Sequence, residues 1–196
     1  MGPRQIGDWI KFFDDFTAEV VGVKNRRYNN PSLVWMSLLK TFASPTDLLP
    51  YLEKCRALGK RVVFTNGVFD LLHYGHVTYL QDARKRGDCL VVALNSDASV
   101  RRYKGPLKPL VPLAERAEML LALSCVDFVT YFDEDTPYEA VKTIRPDVLV
   151  KGGDWPVDKI VGADLVLSWG GTVESIPYVA GRSTTNLVES VREKYA

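Results

Sequence analysis

The stretch Arg61-Val62-Val63-Phe64-Thr65-Asn66-Gly67-Val68-Phe69-Asp70-Leu71-Leu72-His73-Tyr74-Gly75-His76 decides how the rest of the chain is read. Residues 61–65 form a short, β-branched run of strand type, and Val77 to Arg84 has the composition and period of an amphipathic helix. The only two histidines of the chain therefore fall at a strand-to-helix turn. Residues three apart on a helix share a face, so both imidazoles can point at one spot beside the unpaired first-turn amides. Such a spot attracts anions, and Gly75, with no Cβ, lets a polyphosphate approach the backbone. Taken alone, an H-x-G-H is equally compatible with ordinary histidines at a helix start. The preceding strand and the Gly67-Val68-Phe69-Asp70 segment tip the reading toward a phosphate site. Asn66-Gly67 could also make a hairpin turn, but Leu71 to Arg86 reads as helix and not as a returning strand.

Working outward, helix and strand alternate from Ser44 onward. Strands are expected at 61–65, 89–94, 126–131, 147–150, 164–167 and 173–176. Ser44 with Pro45 offers a helix start, Pro50 is expected to bend or shorten that helix, and Thr136-Pro137-Tyr138-Glu139 has the form of a capping box. A last helix is expected from about Thr184 to Lys194. Leu90-Val91-Val92-Ala93-Leu94 is apolar on both faces, as in a parallel sheet covered by helices on each side. The expected fold is α/β, a doubly wound, mostly parallel, Rossmann-like sheet. Ligands in such folds sit beyond the carboxyl ends of the strands at the topological switch point.

The string TNGVFDLLHYGH resembles the signature of the nucleotidyltransferase superfamily, which includes the cytidylyltransferases and the class I aminoacyl-tRNA synthetases. The chain is short for a synthetase and shows no lysine-rich KMSKS-like loop. The segments LVVALNSDASVRRYKG, PLAERAEMLLAL, VDFVTYFDEDTPYEAV, RPDVLVKGGDW and GRSTTNLV, in this order, are similar to the adenylyltransferases acting on D-glycero-β-D-manno-heptose 1-phosphate. The resemblance covers roughly Leu39 to Ala196. It implies transfer of AMP from ATP, with Mg²⁺, to a sugar 1-phosphate, giving ADP-heptose for lipopolysaccharide. It also implies a homo-oligomer. A cytidylyltransferase acting on glycerol 3-phosphate or a similar alcohol phosphate stays open, as does a catalytically silent nucleotide-binding module. Where the cytidylyl form of the last signature carries an arginine and an acid, this chain has Tyr178 and Ala180, which weakens the cytidylyl reading.

The resemblance assigns His73 and His76 to the α- and β-phosphates, with Lys104 as a third catalytic cation on a proline-punctuated loop running to Pro112. Without it, that loop reads as a solvated basic segment. Thr65, Asn66, Gly67, Phe69 and Gly75 are placed around the nucleotide, and Asp70 braces the turn. Arg116 aligns with a basic position near the site, against the reading of a surface helix arginine. Lys151 and Asp154 belong to a glycine-rich turn after a strand, where Asp154 could hold a ribose hydroxyl, the sugar or a metal; Trp155 shapes a pocket or packs in the core. Ser183, Thr184 and Thr185 are candidates for the β- or γ-phosphate, and Ser183 and Thr184 also suit plain N-capping. No metal-ligand set is assigned.

The 196 residues include 25 basic and 24 acidic side chains, a net charge of +1, so no global basic footprint for nucleic acid is present. One domain plus an extension fits this length, and a second catalytic domain does not; a sugar kinase, often fused to this transferase, is expected on a separate chain. Residues 1–40, with Trp9, Phe12, Phe13 and Phe16 at near-helical spacing, are read as an N-terminal extension, and 41–196 as the nucleotidyltransferase domain. Cys55, Cys89 and Cys125 have neither disulfide nor zinc spacing. No apolar stretch reaches the roughly 20 residues that span a bilayer, and no signal peptide is visible, so a cytoplasmic protein without membrane contact is expected.

Overall fold

The apolar runs assemble into one six-stranded sheet in the computed structural model, which describes residues 41–177 and 184–195. The strands are β1 (Thr41–Phe42), β2 (Val62–Gly67), β3 (Cys89–Asn95), β4 (Phe128–Phe132), β5 (Val148–Gly152) and β6 (Thr172–Ile176). Their order is β1-β4-β3-β2-β5-β6, and every pairing is parallel. The helices are α1 (Leu49–Ala57), α2 (Tyr74–Arg84), α3 (Asp97–Lys104), α4 (Leu113–Leu121), α5 (Tyr138–Ile144), α6 (Ala163–Ser168) and α7 (Thr184–Tyr195). A 3₁₀ turn covers Val157–Lys159.

All seven residues of β3 are buried, which only a sheet covered on both faces permits. Successive residues point to opposite faces. Val91 and Ala93 join a layer with Leu52 and Cys55 of α1, Val141 and Ile144 of α5 and Val166 of α6. Leu90, Val92 and Leu94 join a second layer with Tyr79, Leu80 and Ala83 of α2 and Leu120 of α4. The doubly wound expectation therefore holds. Each fully buried Leu or Val in these layers contributes roughly 1.5–3 kcal/mol of transfer free energy.

Several local expectations are corrected. The run 164–167 is not a strand; it lies in α6, where Ala163 and Val166 are buried and Leu167 is exposed, the spacing of a helical face. The helix expected from Ser44 begins only at Leu49, shortened and not bent, and Pro50 sits in its first turn, where its missing N–H costs nothing. The capping box at Thr136 does not form: Pro137 is the N-cap of α5, without a side-chain capping bond. The two-residue edge strand β1 has no periodic signal and was not anticipated. The final helix begins at Thr184 as expected. The three cysteines are free thiols, Cys55 and Cys89 buried in the core. The expectations for residues 1–40, Gly181, Arg182 and Ser183 lie outside the described residues.

Asp carboxylates tie the amino-terminal edge of the sheet. The Val62 amide donates to Asp147 (2.7 Å), the Leu90 amide to Asp127 (2.8 Å) and the Arg61 amide to Asp88 (2.9 Å). The carboxyl edge is different. β2 stays paired with β3 as far as Gly67 and Leu94, but its pairing with β5 ends at Phe64 and Leu149. Beyond these residues β2 and β5 are not paired, at the point where the chain order reverses and where folds of this kind have a ligand crevice. Tyr79 closes its floor, donating to the Val150 carbonyl (3.2 Å) and sharing a 2.6 Å bond with the Thr65 hydroxyl. Replacing Tyr79 by Phe leaves a buried carbonyl and hydroxyl without this partner. It should lower unfolding free energy by about 1–3 kcal/mol in urea titrations, with the fold retained.

Candidate active site

His73 is the N-cap of α2, with extended backbone (φ −140°, ψ 171°), and His76 lies in the first turn. The His73 carbonyl accepts from the amides of His76 (2.9 Å) and Val77 (3.2 Å). The amides of Tyr74 and Gly75 precede any intrahelical acceptor and face outward from the helix end. The two imidazoles stack with centroids 3.9 Å apart and an interplanar angle of 21°. Phe69 packs against His76 at 5.1 Å, which fixes the second ring. The Nδ1 atoms of both histidines are buried with no hydrogen-bond partner among the described residues. Such atoms are costly unless something satisfies them, and a phosphate ester oxygen has the matching chemistry.

Burial lowers the pKa of both rings. For His76 desolvation is the largest cause, the charges of His73 and Lys104 add to it, the Leu71 backbone opposes it, and the value falls to about 4. His73 is lowered by desolvation alone. Both are therefore neutral near pH 7 and act as hydrogen-bond donors and not as fixed cations. Lys104, exposed at the end of α3 with its ammonium 5.7 Å from the Tyr103 ring centroid, brings the positive charge close enough for His76 to respond to it.

Gly67 and Phe69 act together. A Cβ on Gly67 would lie 2.9 Å from Cε2 of Phe69, so the missing side chain makes room for that ring. Phe69 itself has φ +48°, a conformation that places Asp70 back toward the loop after α3. The Asp70 carboxylate accepts from the amides of Leu110 (2.8 Å) and Val111 (2.9 Å) and faces Lys108 at 3.5 Å. Burial alone would raise its pKa, but the Val111 and Leu110 amides and Lys108 outweigh that and hold it below the usual carboxylate range. Its contacts extend from its own turn to the loop between α3 and α4; Lys104 itself, expected on that loop, is the last residue of α3.

Two expected nucleotide ligands turn out to be occupied elsewhere. The Arg116 side chain is 0% exposed; its guanidinium donates to the carbonyls of Val68 (2.6 Å), Asn95 (3.0 Å) and Val111 (3.0 Å) and pairs with Asp97 at 2.6 Å. It orders the ends of β2 and β3 and does not reach outward. The Thr65 hydroxyl is likewise internal, in the Tyr79 bond. Asn66 and Lys151 lie on the two walls of the crevice, with the Lys151 ammonium donating to Asn66 Oδ1 at 3.3 Å. Asp154 is exposed in the turn after β5, and Trp155, 50% exposed, is not a core residue; its amide donates to the Ser175 hydroxyl at 3.1 Å. Gly75 lies between the histidines in the first turn of α2. Thr184 opens α7, while Ser183 and the side chain of Thr185 are outside the described residues. Asp97 and Tyr79, which carry this framework, gave no sequence signal beyond their residue type.

A parallel α/β sheet with H-x-G-H at its switch point defines a nucleotidyltransferase. The cytidylyltransferase-like profile matches residues 64–187, and the chain belongs to that family. It is 61% identical over 149 residues to the bifunctional protein HldE of Syntrophotalea carbinolica, covering 76% of this chain and 30% of that protein. With the bifunctional protein HldE of Trichlorobacter lovleyi it shares 58% identity over 140 residues, 71% of this chain and 28% of that protein. The chain thus spans under a third of the length of these relatives. A lipopolysaccharide core biosynthesis protein from Thermoplasma volcanium has a similar structure, with 31% identity, a TM-score of 0.50 and coverage of 62% of this chain and 98% of that one. Pantothenate synthetase from Thermus thermophilus, at 16% identity and TM-score 0.50 over 79% of this chain and 70% of that one, shares the fold.

The depressed His76 pKa has a measurable consequence. Above the unfolded value of 6.5 both states are neutral; below it the unfolded chain takes up a proton that the folded chain refuses until about pH 4. Stability should therefore fall as pH drops from 6.5 toward 4. A His76→Asn variant should show a shallower fall over that window in pH-dependent denaturation, and NMR should place the His76 titration near pH 4.

Proposed function

We propose that this chain transfers AMP from ATP to D-glycero-β-D-manno-heptose 1-phosphate, releasing pyrophosphate and ADP-heptose. The observation that carries the proposal is the pair of stacked, neutral imidazoles with unsatisfied Nδ1 atoms at the start of α2, beside the crevice between β2 and β5. The sugar comes from the resemblance to heptose 1-phosphate adenylyltransferases, and similarity to proteins named HldE and to a lipopolysaccharide core biosynthesis protein supports it.

An oxygen of the sugar phosphate attacks the α-phosphorus, a new P–O bond forms, and the bond to the β-phosphate oxygen breaks with its electron pair leaving on pyrophosphate. A phosphate monoester has a second pKa of about 6, so the nucleophile is already largely anionic and no strong base is required. The task is to position two repelling anions and stabilise the charge that develops. His73 and His76 donate to the α- and β-phosphate oxygens, the Tyr74 and Gly75 amides add the helix-end field, and Lys104 supplies positive charge from the end of α3. Ser183, Thr184 and Thr185, the sequence at and just before the start of α7, take the β- or γ-phosphate.

Among the described residues no cluster of three or more His, Cys, Asp or Glu could cage a metal. The donors at the crevice, imidazole, ammonium and amide, suit phosphate oxygens. Mg²⁺ fits as part of the ATP complex, held mainly by phosphate oxygens and water, with the exposed Asp154 the carboxylate available after β5. When bound, it would supply positive charge that screens the phosphates. Among the described residues no helix is long and apolar enough to cross a membrane. A cytoplasmic homo-oligomer completes the proposal.

Pyrophosphate release with ATP or CTP against heptose 1-phosphate and glycerol 3-phosphate tests the reading. Preference for CTP would overturn it in favour of an alcohol-phosphate cytidylyltransferase, and tight ATP binding without turnover would support a silent nucleotide-binding module. With the preferred pair, His73→Ala and His76→Ala should each lower kcat by about 10²–10³-fold while remaining folded. Undiminished turnover would remove the imidazoles from the mechanism.

A further inference from the structure

The carboxyl end of β5 places Lys151 in an unusual position. Its side chain is half-buried at the β2–β5 divide, and its ammonium donates to the neutral Asn66 Oδ1 at 3.3 Å. Among the described residues no carboxylate lies within salt-bridge distance of it, whereas the other buried cation, Arg116, has Asp97. Desolvation alone lowers the Lys151 pKa, with no neighbouring charge contributing. A partly desolvated ammonium without a counter-ion is unfavourable in the free protein. It is retained at a functional crevice when an anion arrives to pair with it.

We infer that Lys151 and Asn66 form the seat of the acceptor's phosphate monoester, and are not nucleotide ligands as the family resemblance suggests. This rests on the adenylyl-transfer reading above. Two anions must meet at the crevice, and each needs its own positive charge. The histidines, the α2 amides and Lys104, which follow β2 and β3, already make a donor set for the triphosphate. Lys151 stands across the divergence, on β5, and is not in that set. Its compact charge suits a phosphate dianion, and Asn66, with its oxygen engaged by the ammonium, has an amide nitrogen left to donate beside it.

Lys151→Met tests this. Steady-state pyrophosphate release should show the KM for heptose 1-phosphate raised about 10- to 100-fold, the range expected for losing a charged hydrogen bond. The Kd for ATP, measured by calorimetry without acceptor, should stay within about twofold. The thermal midpoint should be unchanged or higher, because an unpaired buried charge has been removed. Asn66→Ala should shift the same acceptor KM in the same direction. Weakened ATP binding with an unchanged acceptor KM would overturn the assignment, as would unfolding of the Lys151→Met protein. If the unaltered enzyme releases no pyrophosphate with any acceptor, the adenylyl-transfer reading fails first, and the two failures are distinguished.

Discussion

The structure depends on how far β2 remains tied to its two neighbours. Toward β3 it is paired along its full length, and toward β5 only through Phe64 and Leu149. Main-chain hydrogen bonds that a longer pairing would use are given up, and a gap opens where polar side chains from both strands can meet. The rest of the framework holds that gap at a set width. Aspartates fasten the opposite edge of the sheet, and the Tyr79 hydroxyl spans Thr65 and Val150 just beneath the opening. Without the floor, the two walls bearing Asn66 and Lys151 would lack a fixed separation.

A second constraint acts through charge inside the protein. Val111 has its amide taken by Asp70 and its carbonyl by Arg116, so two buried ionised side chains grip one residue of the loop between α3 and α4. Arg116 also holds the carbonyl of Val68, just after β2, and that of Asn95 at the end of β3. Loop, turn and strand ends are thereby referred to one guanidinium. A planar group with five donors suits this role, since several carbonyls converge on it from different directions. The histidine turn and the lysine-bearing loop, distant in sequence, share a common anchor.

Much of this was legible in the residues. Strand composition and the 73–76 spacing placed both histidines at the turn from β2 into α2, because period and turn chemistry are local properties. The partners of Arg116 were not legible: a helix arginine looks the same whether it meets water or carbonyls 21 and 48 residues away. The hydroxyl partner of Thr65 was not legible for the same reason, since Tyr79 lies on another element. The run 164–167 misled because a short apolar segment between glycines satisfies strand and helix alike, and only burial at Ala163 and Val166 separates them. Gly67 was expected to favour a ligand; its clearance is used first by the ring of Phe69.

That last contact bears on how the site can be altered by selection or by library design. Position 67 and position 69 share one volume, and the ring at 69 also steadies His76. Any side chain introduced at 67 displaces the aromatic, and with it the imidazole of His76 that packs on it. Diversity at these two positions must therefore be sampled jointly; scanning them one at a time would report both as intolerant and miss compensating pairs.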